Sequence, residues 1–215
     1  SVLLAAPRSH FALGRGSGDP VTLSRRASLL SRTSPLALSL LALAVPGIAH
    51  GQAVNLGPGG ANNIIPDGRT ATHVVVNGSQ TAITTGTVSK GTGFNSFSDF
   101  QEAAGQSVSL YVPGGAGNLV NIVRNGPVVV NGVLNAYKDG RIGGNVFFSD
   151  SHGFIVGQHG TINVGRLTVN TPTDKFLDGV VGADGRVDDA AADRLMRGDI
   201  PLSADGVISI SGTIN

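Results

Sequence analysis

Residues 132–173, which read GVLNAYKDGRIGGNVFFSDSHGFIVGQHGTINVGRLTVNTPT, decide the fold class of this 215-residue chain. Short apolar runs recur along them at irregular intervals, separated by Gly, Asn, Asp and His, and no helical period intervenes. Short strands joined by tight turns, with no helices between them, exclude a doubly wound α/β fold and favour an all-β stack. The runs are residues 145–148, 153–157, 161–165 and 167–169.

Strand patterns continue on both sides of this stretch. In residues 93–100 three Phe residues stand three apart, but the Gly, Asn and Ser among them predict an irregular strand with a bulge rather than a helix. Asn77-Gly78 predicts a type I′ turn. Further strands are predicted from β-branched and apolar content at residues 73–77, 80–89, 107–112, 118–124, 128–137 and 205–215.

One segment has the signature of a helix. Residues 190–197 are rich in Ala and also contain Leu and Met. Asp188 or Asp189 supplies an N-cap, and Gly198 ends the segment. The sequence therefore predicts one short helix over 188–197 in an otherwise all-β chain.

Composition supports a stack of strands with many corners. Charged residues make up 13% of the chain, whereas Gly occurs 32 times. Gly and Asn adopt positive φ at little cost, which suits repeated tight turns. Low charge with many small polar and β-branched residues is common in solenoids, whose side chains form ladders along stacked strands. There is no cysteine, so stability must come from packing and backbone hydrogen bonds.

Residues 1–53 have the features of an extended export signal. Basic residues precede the apolar run 36–45, which is too short for an ordinary membrane span. Small residues then provide two candidate cleavage sites, after Ala49 and after Ala53. Cleavage after Ala53 leaves residues 54–215 with ten basic and thirteen acidic side chains. This balance gives no electrostatic reason to expect nucleic acid or an anionic membrane as a partner.

No group of residues in the sequence sets up catalysis. The chain has a single Glu, and most Asp residues stand beside Gly, as in turns. His152 and His159 lack the spacing of a zinc site, and the nonapeptide calcium repeat is absent. Arg197-Gly198-Asp199 matches an integrin-recognition tripeptide, although Gly198 already serves to end the helix. We therefore expect no catalytic residue, no cofactor and no metal ligand.

The order of motifs in residues 150–173 resembles a known secretion domain. The segment DSHGF at 150–154 is followed by the rest of an apolar strand, a turn, INVGRL at 162–167 and TPT at 171–173. This order is similar to the core of filamentous-haemagglutinin-type exoproteins, the passengers of two-partner secretion. In that family an N-P-N-G-I motif precedes an apolar strand, a turn and an I-N-V-G/A-x-L stretch.

The match to the first family motif is partial. Gly153 and the apolar Phe154 match, and Asp150 can replace Asn as the turn-forming acceptor. Ser151 and His152 stand where the family has Pro and Asn, so this turn lacks the rigidity of proline. At Gly153 we expect a positive φ and no room for a Cβ.

A second family motif, N-P-N-L, falls near Asn125-Gly126-Pro127. The resemblance implies that residues 125–127 and 150–154 form a secretion motif, which the transporter recognises or which nucleates the stack of strands. An ordinary corner of the fold explains the same residues equally well.

The resemblance implies a right-handed, single-stranded parallel β-helix over residues 54–215, with an N-terminal cap and short antiparallel strands outside the helix. The strand spacing agrees with this fold. The last strand stops without a covering turn, so we expect the natural protein to continue beyond Asn215. The residues predicted to face inward are Val146, Phe148, Ile155, Ile162, Val164, Leu167 and Val169.

The function implied by the resemblance is targeting of a large adhesin for export. An Omp85-type outer-membrane transporter with POTRA domains would carry the chain across the outer membrane of a Gram-negative bacterium to the cell surface or the medium. The rest of the exoprotein would bind host-cell or matrix ligands in adhesion and biofilm formation. The domain itself is expected to be a monomer without enzymatic activity.

Two other classes of function use the same fold. One is a polysaccharide-processing enzyme on a β-helix, and the other is a carbohydrate-binding β-helix protein that acts alone. The enzyme needs clustered acidic and basic residues on one face, but residues 132–173 contain only Asp139 and Asp150 and no Glu.

Overall fold

Short strands separated by turns make up most of the part of the chain that the structure describes. The computed structural model describes the strand Val2–Leu4 and residues 60–215. The two candidate cleavage sites, and the rest of the predicted leader apart from residues 2–4, lie outside the described residues. Within the described part, the fold is an all-β parallel β-helix of about three turns, which confirms the predicted class.

The described residues form seventeen strands and two helices, whose bounds follow in chain order. They are β1 Val2–Leu4, β2 Asn63–Pro66, β3 Thr72–Asn77, β4 Gln80–Thr85, β5 Val88–Ser89, β6 Thr92–Glu102, β7 Ser107–Tyr111, β8 Asn118–Val123, β9 Val128–Val130, β10 Val133–Lys138, β11 Arg141–Ile142, β12 Asn145–Asp150, β13 Gly153–Val156, β14 Thr161–Asn163, β15 Arg166–Asn170, α1 Asp174–Val180, α2 Asp189–Arg197, β16 Val207–Ile210 and β17 Thr213–Ile214.

Parallel pairing stacks the strands of successive turns in register. The first stack contains β6, β8, β12 and β15, and Asn118 in it pairs with Thr92 on one side and Asn145 on the other. These neighbours are 26 and 27 residues apart in sequence. The second stack contains the end of β6 with β9, β13 and β16, and the third contains β4, β7, β10, β14 and β17. One turn of the β-helix therefore consists of three strands and three corners.

Antiparallel strands cover the N-terminal end of the β-helix, and we call residues 63–89 the N-terminal cap. Both β2 and β5 pair antiparallel with β6, and β3 forms a hairpin with β4. In the hairpin Asn77 pairs with Gln80, and φ is positive at Gly78 (58°) but not at Ser79. The turn is therefore of type II′, and the predicted type I′ is wrong, because only the first central residue is left-handed.

The Phe-rich segment is a strand, as predicted, and forms most of β6. Phe97 and Phe100 both belong to the interior cluster, whereas Phe94 packs on the outer side. Strict alternation forbids two residues three apart from sharing a side. The pairing of β2 with β6 shifts register at this point, between Ile65 and Pro66. The irregularity lets one continuous strand run through a corner from the first stack into the second.

The interior of the β-helix contains most of the predicted inward residues. Ile155 is the exception: it is buried but lies outside the interior cluster, whereas its neighbours Phe154 and Val156 belong to it. Alternate residues of a strand face opposite sides, so only one of these two sets can point inward. The predictions confirmed as inward are Val146, Phe148, Ile162, Val164, Leu167 and Val169.

A helical insertion, residues 171–206, interrupts the last turn between β15 and β16. The predicted helix is confirmed as α2: Asp188 accepts a hydrogen bond from the N–H of Ala191 at 2.8 Å, and Gly198 ends the helix with φ 76°. The seven-residue α1 was not predicted, because its sequence contains Gly and Val, which favour helices weakly. Tertiary packing therefore accounts for α1.

The insertion packs on the outer side of the first stack. Leu177 of α1 and Leu195 of α2 are fully buried there. Side chains of β6, β8 and β12 complete this outer cluster, so one insertion covers three successive turns. The buried members of the outer cluster are Phe94, Val120, Ile122, Phe147, Leu177, Val180, Val181, Ala192 and Leu195.

Glycines stack at the corner that leads into the third stack. Gly132, Gly160 and Gly212 directly precede β10, β14 and β17. A Cβ would lie 2.3 Å from the carbonyl oxygen of Gln106 at Gly132, and 2.3 Å from that of Val130 at Gly160. At Gly212 it would lie 2.2 Å from the oxygen of Gly160. Backbone atoms of the preceding turn thus occupy the space that any side chain would need.

Replacing a corner glycine by alanine should therefore destabilise the fold. We expect Gly160→Ala to lower the free energy of unfolding by about 2–3 kcal/mol, since overpacking of this kind costs roughly 1–3 kcal/mol. Gly114→Ala is the matched control, because no atom lies within 4 Å of its Cβ position, and it should change stability by less than about 0.5 kcal/mol. Urea unfolding measures the stability of both variants. Equal losses of stability would contradict the conclusion that the backbone of the preceding turn occupies the Cβ position at Gly160.

Candidate functional site

The two stretches assigned to the secretion motif lie at one corner of the β-helix. Asn125-Gly126-Pro127 joins β8 to β9, and Ser151-His152 joins β12 to β13. Asp150 pairs with Val123 and Phe154 pairs with Val128, so the second connection stacks directly on the first. We call residues 125–127 and 150–154 the motif corner. The predicted tight turn at 150–154 is shorter than expected, because Asp150 ends one strand and Gly153 begins the next.

Asp150 ties the two connections together. Its Oδ2 accepts a hydrogen bond from the N–H of Val128 at 3.0 Å, and its Oδ1 accepts one from the N–H of His152 at 2.8 Å. The carboxylate therefore links the preceding turn to its own corner, in the acceptor role predicted for it. Burial raises the pKa of Asp150, although the hydrogen bonds from His152 and Val128 lower it in part.

Ser151 connects the motif corner to the helical insertion. Its hydroxyl donates a hydrogen bond to Asp174, the first residue of α1, and lies 3.1 Å from Nδ1 of His152. The same Nδ1 lies 3.2 Å from Oδ1 of Asp150. A relay of protons from serine through histidine to aspartate needs both ring nitrogens, one for each partner. Here both partners meet a single nitrogen, so the group holds the corner in shape and does not form a nucleophile.

Gly153 fits its position for two reasons. Its φ is 126°, a value that L-residues rarely adopt. A Cβ would also lie 2.2 Å from the carbonyl oxygen of Val207, its partner in β16. The positive φ and the lack of room for a Cβ at Gly153 are therefore both confirmed. The close approach of Val207 shows that the last turn packs directly against this glycine.

Half of the residues of the motif corner are buried. Phe154 is 1% exposed and Ser151 is 4% exposed, so both are structural parts of the corner. Asn125 is exposed, and His152 is half-buried. The N–H of Asn125 donates to the carbonyl of Ser98 at 2.9 Å, which fixes the first connection on the turn below. A partner that meets the folded domain at this corner therefore meets mainly residues 125–127 and His152.

A network of four charged side chains lies directly beside the motif corner. Nε of Arg124 is 3.0 Å from Oδ2 of Asp67, and its Nη1 is 2.8 Å from Oδ1 of Asp178. Arg69 reaches the same Asp178 oxygen at 2.7 Å. Sequence reasoning missed this network because its members lie on the N-terminal cap, directly after β8 and on α1, and the paired Arg69 and Asp178 are 109 residues apart.

The single Glu of the chain lies at a different corner, beside Gly132. Glu102 is fully buried and its carboxylate makes no well-formed hydrogen bond in the described part of the chain. Burial raises its pKa from 4.5 to about 8, although the nearby N–H groups of Val108 and Val133 lower it in part. At neutral pH the native protein therefore holds this carboxyl in its neutral, protonated form. In the sequence, the signal for this buried carboxyl group is that the single Glu of the chain lies in a strand-rich segment.

No protein-family model, curated protein or solved structure matches this chain. Across the described residues, no helix is long and apolar enough to span a membrane. The same residues contain no group of three or more His, Cys, Asp or Glu side chains placed to hold a metal ion.

Glu102 should make stability depend on pH. Its pKa is higher in the folded chain than in the unfolded one, so stability is fully present below pH 4.5 and is lost as the pH rises towards 8. Each proton released on unfolding changes the free energy by about 1.4 kcal/mol per pH unit. Glu102→Gln should flatten this slope and be more stable than the wild type at pH 9.

Urea unfolding of both proteins at pH 5, 7 and 9 measures the difference. Asp150 contributes in the same direction in both proteins, so the comparison isolates Glu102. Parallel curves for the two proteins would show that Glu102 is not protonated in the native state.

Proposed function

We propose that this chain is the secretion-targeting domain of a large adhesin of the filamentous-haemagglutinin type. In this proposal an outer-membrane transporter with POTRA domains recognises the domain and exports the exoprotein to the cell surface of a Gram-negative bacterium. Adhesion and biofilm formation belong to the remainder of the exoprotein. The proposal requires no active site in this domain.

The β-helix supports this proposal on physical grounds. Each turn forms its hydrogen bonds on the turn before it, so folding can advance from one end as a chain emerges from a pore. An N-terminal antiparallel cap closes the end that would emerge first. A stack of this kind supplies a direction for export without an energy source outside the cell.

The observation that carries the proposal is the stacking of the two motif stretches. The family resemblance implies that residues 125–127 and 150–154 form a secretion motif, although Val128 and Asp150 lie 22 residues apart in sequence. They lie on consecutive turns at one corner and are joined by a hydrogen bond from Val128 to Asp150. A motif that acts as one unit has to be contiguous in space, so this stacking supports the proposal.

Substitutions at the motif corner should separate shape from side-chain chemistry. We expect Gly153→Val to reduce secretion by at least tenfold, because it strains the backbone and collides with Val207. His152→Asn should be secreted like the wild type, since it restores the family residue and keeps the turn. The measurement is the amount of the chain in the medium of cells that express the cognate transporter.

Two results would count against this role of the corner. One is undiminished secretion of Gly153→Val, and the other is loss of secretion in His152→Asn. Gly179→Val serves as a control, because no atom lies within 4 Å of its Cβ position and its φ is not positive. Its secretion should match that of the wild type.

One observation favours a second candidate, a carbohydrate-binding β-helix protein. Tyr111 and Tyr137 stack on the outer side of the third stack, with ring centroids 5.5 Å apart and planes 21° apart. Ser109, Asn135 and Asn163 form a column of uncharged polar side chains in register beside them. Aromatic rings beside amides and hydroxyls are chemically suited to a neutral polysaccharide.

The two candidates differ in what the purified chain should bind. Under the secretion proposal it binds none of a panel of neutral polysaccharides, and Tyr111→Ala changes nothing in calorimetric titration. Saturable binding that Tyr111→Ala abolishes and Ser107→Ala preserves would favour the carbohydrate-binding candidate instead.

A further inference from the structure

We propose that the helical insertion is a clasp, which closes after the turns have stacked and makes the folded domain slow to unfold. The clasp joins the last turn to the N-terminal cap, so that neither end of the β-helix opens alone. This inference about folding stands on contacts within the domain. Its consequence for export rests on the proposed function.

The base of the clasp is fixed in the last turn. Pro172 and Leu202 form an antiparallel bridge. The N–H of Thr173 donates to the carbonyl of Pro201 at 3.0 Å, and that of Ser203 donates to Thr171 at 2.8 Å. The two ends of the insertion thus leave and re-enter the β-helix at one point, so the helices project from it as a unit.

The far side of the clasp reaches the first strands of the domain. Asp189 accepts a hydrogen bond from the hydroxyl of Ser89 at 2.5 Å and lies 3.3 Å from Nζ of Lys90. Asp178 pairs with Arg69 of the cap and with Arg124, which directly follows β8. The contacts from Asp189 to Ser89 and from Asp178 to Arg69 span 100 and 109 residues.

Between its base and its far side the clasp covers the outer cluster. The apolar residues of α1 and α2 pack on Phe94 of β6, Val120 of β8 and Phe147 of β12. These three strands belong to successive turns and stack in register. The clasp therefore adds contacts across turns that otherwise hold only their nearest neighbours.

These contacts belong late on the folding path. Closing a loop of about a hundred residues costs entropy before any contact forms, and stacked turns reduce that cost by bringing the ends together first. Interactions that form after the transition state affect the unfolding rate and leave the folding rate nearly unchanged. The clasp should therefore lower the unfolding rate.

If the chain is exported from its N-terminus, its turns emerge and stack before the clasp can close. The turns can stack as they emerge, but the clasp closes only once residues up to about 203 are outside. From then on the first turns cannot loosen without breaking contacts with the last. A closed clasp would oppose backward movement through the pore.

The test is the folding and unfolding kinetics of the full chain in urea. Asp178→Asn combined with Asp189→Asn removes the charges that hold the far side, and should raise the unfolding rate about tenfold with less than a twofold change in the folding rate. The matched control is Asp193→Asn, which makes the same chemical change on the exposed side of α2. It should leave both rates within twofold.

A second readout distinguishes a clasp from local helix contacts. Hydrogen exchange in the double variant should speed up at the N-terminal strands, including the N–H groups of Gly86 and Phe94, which bond to the carbonyls of Ala71 and Thr87. Protection in the cap that stays unchanged would overturn the proposal. So would a slower folding rate with an unchanged unfolding rate, since the insertion would then belong to the folding nucleus.

These measurements need no transporter and no export. A failure of the clasp would leave the secretion proposal intact, and a failure of secretion would leave the kinetic result intact. The two ideas can therefore be rejected separately.

Discussion

The constraint on which this structure depends is the register of one turn against the next. Parallel strands must approach to about 4.8 Å along their whole length to share backbone hydrogen bonds. A corner that holds its neighbour further away would open the ladder on both sides. Gly132 and Gly160 meet this demand by leaving room for the carbonyl oxygens of the preceding turn. Because the turns stack in register, identical side chains come to lie next to each other on successive turns. For example, the side-chain amide of Asn163 donates a hydrogen bond to that of Asn135 at 2.8 Å.

A stack in which each turn contacts only its neighbours is weakest at its two ends. In this chain, different elements stabilise the two ends. Antiparallel strands cover the first turn, and the helical insertion projects from the last turn back across the stack. The charged network around Arg124 lies where the cap, the stack and the insertion meet. The motif corner lies next to this point, and Ser151 bonds to the first residue of α1. Transporter recognition and completion of the fold would thus share one region of the molecule.

The sequence was sufficient for most features that depend on neighbouring residues, although the type of the turn at Asn77-Gly78 was predicted wrongly. Alternation predicted the strands, capping residues predicted α2, and the positive φ of Gly153 followed from its place beside a turn. Features that depend on distant segments were missed, such as α1 and the pairing of Arg124 with Asp178. Ile155 was assigned to the wrong side because a fully apolar strand gives no alternation from which to choose.

We propose that this β-helix directs export through an outer-membrane transporter. The most direct measurement is to express the chain in Gram-negative cells with and without a two-partner-secretion transporter, and to follow the protein in the medium. The account predicts protease-resistant, folded protein in the medium only when the transporter is present. Protein that remains in the cells with the transporter, or reaches the medium equally without it, would contradict the claim.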